Sequence, residues 1–181
     1  MIDIVPSLTI DGWMDQPELE WLAEKAQTHE RIVEVGAWMG RSTMTLANHT
    51  AGIVYAVDHW RGSIEHQSGL ANKPQEWLYE EFHRNLEKHI ESGKVVPVPV
   101  SSVEAAYRFA RVLKAPLFDM VFIDASHDDD NIRADIAAWT PLVAAGGLLC
   151  GHDGGHAPIE RAVRQIFPNV RFECSMWVVD L

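Results

Sequence analysis

Residues 32–43 run Ile32-Val33-Glu34-Val35-Gly36-Ala37-Trp38-Met39-Gly40-Arg41-Ser42-Thr43. An apolar, β-branched stretch carries an acid, then reaches a glycine, a second glycine four positions on, and Ser-Thr. The pattern predicts a buried strand that ends in a tight turn and opens a helix. Glycines at such a turn let the backbone bend sharply and let a ligand approach closely. The helix N-terminus that follows offers N–H groups with no intrahelical partner. A parallel α/β sheet receives a nucleoside-bearing cofactor at such a turn. The carboxylate of Glu34 suits a cationic or ammonium-bearing ligand better than a pyrophosphate.

The rest of the chain continues the same alternation. Strands are predicted at 31–36, 53–57, 95–98, 118–123 and 147–150, with two short strands at 170–173 and 176–179. Helices are predicted at 17–27, 41–49, 75–91, 103–113, 128–140 and 157–166. The strands are near-continuous apolar runs, the signature of a sheet covered on both faces. Pro97 inside the third strand removes a ladder donor and marks an edge. The expected fold is therefore a Rossmann-like, doubly wound, mostly parallel seven-stranded sheet with its last strand antiparallel. Residues 1–181 are expected to form a single domain, with residues 1–30 as an N-terminal helical segment. Residues 60–77 are expected to act as a lid, because long loops in small domains usually cover ligands.

Composition limits the partners. A formal net charge of −11 with no Lys/Arg cluster argues against nucleic acid and anionic membranes. No run is long or apolar enough for a span, and the N-terminus lacks the basic and apolar regions of a secretory leader. Cys150 and Cys174 sit in apolar runs without a CxxC spacing, so both are expected to be buried free thiols in a cytoplasmic, reducing compartment. Trp21 and Trp139 fit helix faces and belong to a core. Trp38 and Trp60 lie beside candidate ligand turns.

Sheets of this kind bind ligands outside the carboxyl ends of their strands. Glu34, Asp58, Asp124 and the pair His152-Asp153 all fall at or near such ends. Asp58 lies 22 residues past Gly36, the distance at which a carboxylate typically holds ribose hydroxyls. The alternative for Asp58 is a plain turn residue. Asp128, Asp129 and Asp130 open a helix, where acids cap N–H groups and favour the dipole.

The segment Glu34 to Ser42 resembles the cofactor loop of class I S-adenosylmethionine-dependent methyltransferases. It is most similar to the metal-dependent small-molecule O-methyltransferases of the catechol and caffeoyl-CoA type. Residues 119–128, Asp-Met-Val-Phe-Ile-Asp-Ala-Ser-His-Asp, resemble that family's fourth-strand motif. The run from Trp139 to Leu142 and from Gly146 to Asp153 resembles methyltransferases that act on antibiotic sugars and macrolides. The resemblance implies that Glu34, Gly36, Ala37, Trp38, Gly40 and Ser42 border the methionine moiety and that Asp58 takes the ribose. It places His59 and Trp60 about the adenine, Ser102 at its edge, and Asp124 beside the cofactor. Asp124 and Asp153 match ligands of a divalent metal, Mg²⁺ or Mn²⁺. His152 matches an acidic ligand position, a departure from three oxygen ligands that leaves open a softer ion such as Mn²⁺ or a site completed by water. His127, three residues past Asp124, matches the catalytic base, with Asp124 as its catalytic partner.

The expected function is O-methylation of a small hydroxyl-bearing substrate such as a sugar, polyol or polyphenol. Glu65, His66, Gln67 and Asn72 of the lid offer hydrogen bonds to such hydroxyls. Two alternatives stay open: a metal-independent methyltransferase, and a non-catalytic S-adenosylmethionine-binding domain or partner subunit. A nicotinamide oxidoreductase fits less well, because the glycine spacing is not G-x-G-x-x-G. A homo-oligomer is compatible with the sequence.

Overall fold

In the computed structural model, which describes residues 2–62, 70–112, 118–126 and 128–181, seven strands form one sheet in the order β3-β2-β1-β4-β5-β7-β6. These are β1 (Arg31–Val35), β2 (Ile53–Val57), β3 (Val95–Val98), β4 (Phe118–Ile123), β5 (Val143–Gly151), β6 (Arg171–Glu173) and β7 (Met176–Asp180). β1 to β5 pair in parallel, and β7 runs antiparallel to both β5 and β6. Pro97 lies on β3, an edge strand, where its missing N–H costs no ladder bond. The sheet is the Rossmann-like arrangement expected from the alternation of elements.

The two-residue period of the strands divides the core in two. Ile32, Val54, Met120 and Cys150 face one layer, built by α2 (Gln16–Ala26), α3 (Arg41–His49) and α4 (Trp77–Glu91). Val33, Val57, Val121 and Leu149 face the other, built by α5 (Ser102–Val112), α6 (Asp129–Trp139) and α7 (Ala157–Ile166). Each helix buries the apolar stripe written into its sequence: Leu19 and Leu22 in α2, Phe82 and Leu86 in α4, Ile132 and Ile136 in α6. Trp21 and Trp139 are buried as expected.

Three features differ from the expectation. A short helix, α1 (Val5–Leu8), precedes α2, and the stretch between them crosses the mouth of the sheet. β5 begins at Val143, four residues early, with an irregular register against β4 between Phe118 and Met120. Cys174 is exposed, because it turns the β6–β7 hairpin with φ 54° instead of continuing an apolar strand; Cys150 is buried. Among the described residues, no helix is long and apolar enough to cross a membrane.

Candidate functional site

A cavity of about 880 Å³ opens at the carboxyl ends of β1, β2, β4 and β5. That size falls within the range of small-molecule and cofactor sites. Of the residues singled out in the sequence, Gly36, Ala37, Trp38, Ser42, Asp58, His59, Ser102, Asp124, His152 and Asp153 all line it.

The glycine turn is fixed by its neighbours. β1 ends at Val35, and the Gly36 N–H donates to Val57 O at 2.8 Å. Gly36 has φ 93°, and a Cβ there would fall on the Asp124 carbonyl. This position needs glycine both for its conformation and for the close passage of β4. Gly40 also has φ 93°, but a Cβ there would meet Leu86 of α4. Gly40 therefore serves helix packing; it does not line the cavity, contrary to the expectation of ligand contact. Trp38, between the glycines, takes the left-handed region at φ 47°. A bulky residue rarely does so, and such conformations persist only where the surroundings impose them. Here Asp58 Oδ2 accepts from the Trp38 N–H at 3.0 Å, while Trp60 Nε1 donates to the Trp38 carbonyl at 2.8 Å.

Asp58 thus stands at the end of β2 with its carboxylate facing the cavity and the loop together. Its other oxygen accepts from the Trp60 N–H at 2.7 Å. Burial raises its pKa, against the hydrogen bonds from Trp38 and Trp60. Trp60 differs from the expectation. It is 2 % exposed and packs on Tyr79 and Phe82 at centroid distances of 4.7 and 4.8 Å. It braces the loop from the core and does not line the cavity.

Glu34 also stands behind the wall. It faces the layer of α3, wholly buried, and Thr43 Oγ1 donates to its Oε2 at 2.5 Å. Burial pushes its pKa up to about 8, against hydrogen bonds from Ser42 and Thr43. Ser42, which does line the cavity, hydrogen-bonds this carboxyl. On the far side, Ser102 accepts from Trp139 Nε1 at 2.9 Å and bonds the side chain of Asp135. Asp135 is 5 % exposed, lines the cavity, and has its pKa pushed up by burial to about 6. It reads in sequence as an ordinary helix acid, and only its inward direction marks it.

At the mouth of β4 and β5, Asp124, His152 and Asp153 each offer one ligand atom, all within 4.8 Å of one another. His152 Nδ1 lies 3.4 Å from Asp124 Oδ1 and 3.4 Å from Asp153 Oδ2. Its Nε2 lies 3.0 Å from Glu18 Oε1. Burial opposes charge on the ring, yet its bonds to Asp124 and Asp153 prevail and push its pKa up to about 11. Asp153 takes φ 57°, so it is turned inward from a left-handed backbone.

No feature of the sequence marks the segment before α2 as cavity wall. Asp11, Gly12, Trp13 and Met14 line the cavity. Arg41, the residue after the second glycine, holds this segment by donating to Ile10 O at 2.7 Å and Met14 O at 2.8 Å. Trp13 is 63 % exposed and lies against Trp38 with centroids 5.2 Å apart. Asp128 is the N-cap of α6, accepting from the Asn131 N–H at 2.9 Å, in line with its capping role. His127, Glu65, His66 and Gln67 lie outside the described residues.

The profile of a family described as a methyltransferase domain matches residues 33–154, about two thirds of the chain. Among solved structures, an O-methyltransferase from Bacillus cereus in complex with SAH is similar at 17 % identity. It gives a TM-score of 0.67 over 97 % of this chain and 86 % of that one. TomG, an O-methyltransferase of tomaymycin synthesis from Streptomyces achromogenes in complex with SAM, is similar at 15 % identity. Its TM-score is 0.67 over 93 % and 81 % of the two chains. A precorrin 8w decarboxylase of Methanobacterium thermoautotrophicum is similar at 16 % identity, with a TM-score of 0.63 over 91 % and 78 %. At such identities the likeness extends to the fold, and a fold hosts several chemistries. The chain belongs to the methyltransferase-domain family.

Proposed function

We propose that this protein methylates a hydroxyl oxygen of a small molecule, using S-adenosylmethionine and a divalent cation. The observation that carries the reading is one cavity lined both by Asp58 with the glycine loop and by the Asp124–His152–Asp153 cluster. S-adenosylmethionine supplies a sulfonium-activated methyl group, and a divalent ion supplies Lewis acidity that makes a hydroxyl easier to deprotonate.

The donor set fits such an ion. Two carboxylates and one imidazole nitrogen converge, a mixed oxygen and nitrogen set that favours Mn²⁺ over Mg²⁺. For the cofactor, Asp58 would hold the ribose hydroxyls, Gly36, Ala37, Trp38 and Ser42 the methionine end, and Ser102 with Asp135 the adenine edge. His59 would flank the adenine alone, without Trp60, and Glu34 would act through Ser42. Trp13 and Trp38 offer aromatic faces at the cavity mouth, which supports a ring-bearing acceptor such as a polyphenol or sugar. Catalysis would rest on positioning and electrostatics. His127 is proposed as proton acceptor on its sequence position, three residues past Asp124.

A specific observation favours a second, metal-independent reading. The His152 ring already meets three carboxylates, so a protonated ring neutralises part of their charge without an ion. Release of S-adenosylhomocysteine from a panel of catechols and sugars separates the two. Metal-stripped protein that is inactive in EDTA and recovers with Mn²⁺ supports metal assistance. Full turnover in EDTA assigns the chemistry to the metal-independent form. Absence of turnover on every acceptor, despite cofactor binding, returns the chain to a binding role.

A further inference from the structure

The start of α2 reads Asp15-Gln16-Pro17-Glu18, a capping box in which Asp15 accepts from the Glu18 N–H and Glu18 reaches back to the Asp15 N–H. A capping glutamate ordinarily has one task and sits in water. Glu18 is 8 % exposed and divides its two oxygens. Oε2 accepts from the Asp15 N–H at 2.7 Å, while Oε1 meets His152 Nε2 at 3.0 Å. The two residues stand 134 positions apart, so the contact joins the N-terminal helix to the mouth of β5.

The chemistry of the contact settles which nitrogen faces which way. A carboxylate only accepts, so Nε2 must be the N–H that donates to Glu18. Nδ1 then faces Asp124 Oδ1 and Asp153 Oδ2, both acceptors, at 3.4 Å each. Two acceptors facing Nδ1 demand positive charge between them, which a proton on Nδ1 supplies in the ion-free ring and a divalent cation would supply in its place. Histidines that hold metals ordinarily donate their other ring N–H to a carboxylate, which fixes the ring and strengthens it as a ligand.

We propose that Glu18 is a positioning residue for a divalent cation: it holds His152 so that Nδ1 joins Asp124 and Asp153, and it thereby links cation binding to the docking of α2. The inference rests on the metal-assisted reading above. Glu18 lies outside residues 33–154, the part matched by the family profile. By linkage, a cation that needs the docked helix must stabilise it in return.

Calorimetric titration of MnCl₂ into the full chain tests this, with hydrogen exchange of residues 15–26 followed in parallel. Wild type should bind, and Mn²⁺ should slow exchange in α2. Glu18→Ala should weaken Mn²⁺ by about 10–100-fold and abolish the slowing. Glu18→Gln keeps an oxygen able to accept from Nε2 and should recover most of the affinity. Asp15→Ala removes the side-chain half of the same cap while leaving the His152 contact, and should bind Mn²⁺ as wild type does. Should Glu18→Ala not fold, Glu18→Asp carries the test, since it keeps the charge but falls a methylene short of the ring. Wild-type affinity in Glu18→Ala, or equal losses in Glu18→Ala and Asp15→Ala, overturns the inference alone. A wild type that takes up no Mn²⁺ overturns the metal-assisted reading together with it.

Discussion

Around the glycine loop the cavity wall is held by backbone, whereas at the mouth of β4 and β5 it is held by charged side chains. The loop is fixed by the Gly36 N–H on β2, the Trp38 N–H on Asp58, the Trp38 carbonyl under Trp60, and Asn85 Nδ2 on Met39 O at 2.9 Å. Each of these bonds has a main-chain group on at least one side, and Asp58 is the one titratable group among them. The mouth depends on His152 among Glu18, Asp124 and Asp153. Its geometry is a balance of charges, open to protons and cations. On the proposed function the difference is a division of labour: the first wall would receive a constant cofactor, and the second would serve the step that needs proton and metal chemistry.

The largest effect expected from that division falls on the chemical step. His127→Ala should lower kcat by about 10²–10⁴-fold, the usual loss on removing a general base, with little change in cofactor affinity. The variant should also lose the ascending limb of the pH–rate profile. Near-normal kcat with the limb intact would place the proton acceptor elsewhere and blur the contrast between the walls.

On the loop side, Gly36→Ala should cost stability, because φ 93° and the Asp124 carbonyl leave no room for a Cβ. The expected loss is about 2–4 kcal/mol in urea unfolding. Gly155→Ala, where a Cβ would meet nothing within 4 Å, serves as the control. Equal stability of the two variants would mean that the loop is not backbone-fixed.

Glu34 sharpens the comparison through pH. Its pKa rises from an ordinary value near 4.5 to about 8, chiefly by burial. Between those values the unfolded chain has released this proton and the folded chain retains it. Its contribution therefore lowers stability as pH climbs from about 5 to 8 and levels off above. Glu34→Gln should remove that slope, as judged by unfolding of both proteins at pH 5.5 and 8. A difference between them that stays constant with pH would show a carboxyl already ionised in the fold. The smallest effect is at Asp15, where loss of the α2 cap in Asp15→Ala should cost about 1 kcal/mol.

The same contrast explains what the sequence revealed. The spans of β2 and β4 were legible because Ile53–Val57 and Phe118–Ile123 are apolar runs bounded by polar turns. Asp58, Asp124 and Asp153 were legible because parallel strands deliver whatever follows them to one rim. The bracing roles of Gly40 and Trp60 were not, since both depend on α4 packing from elsewhere in the chain. α1 escaped notice because it is only four residues long and leaves Val5 and Leu8 exposed, so it has no apolar period. Glu18 was visible only as a helix start. Its second partner is set by tertiary folding, as are the inward turn of Asp135 and the place of Trp13 over the cavity.

The central claim is that the backbone-fixed wall receives S-adenosylmethionine through Asp58, and calorimetric titration with S-adenosylhomocysteine and NAD tests it most directly. The wild type should bind S-adenosylhomocysteine and take up NAD poorly. Asp58→Ala should lose about 1–3 kcal/mol of that binding, as charge-assisted hydrogen bonds to the ribose disappear. Tight NAD binding without S-adenosylhomocysteine binding, or an Asp58→Ala variant of undiminished affinity, would contradict the account.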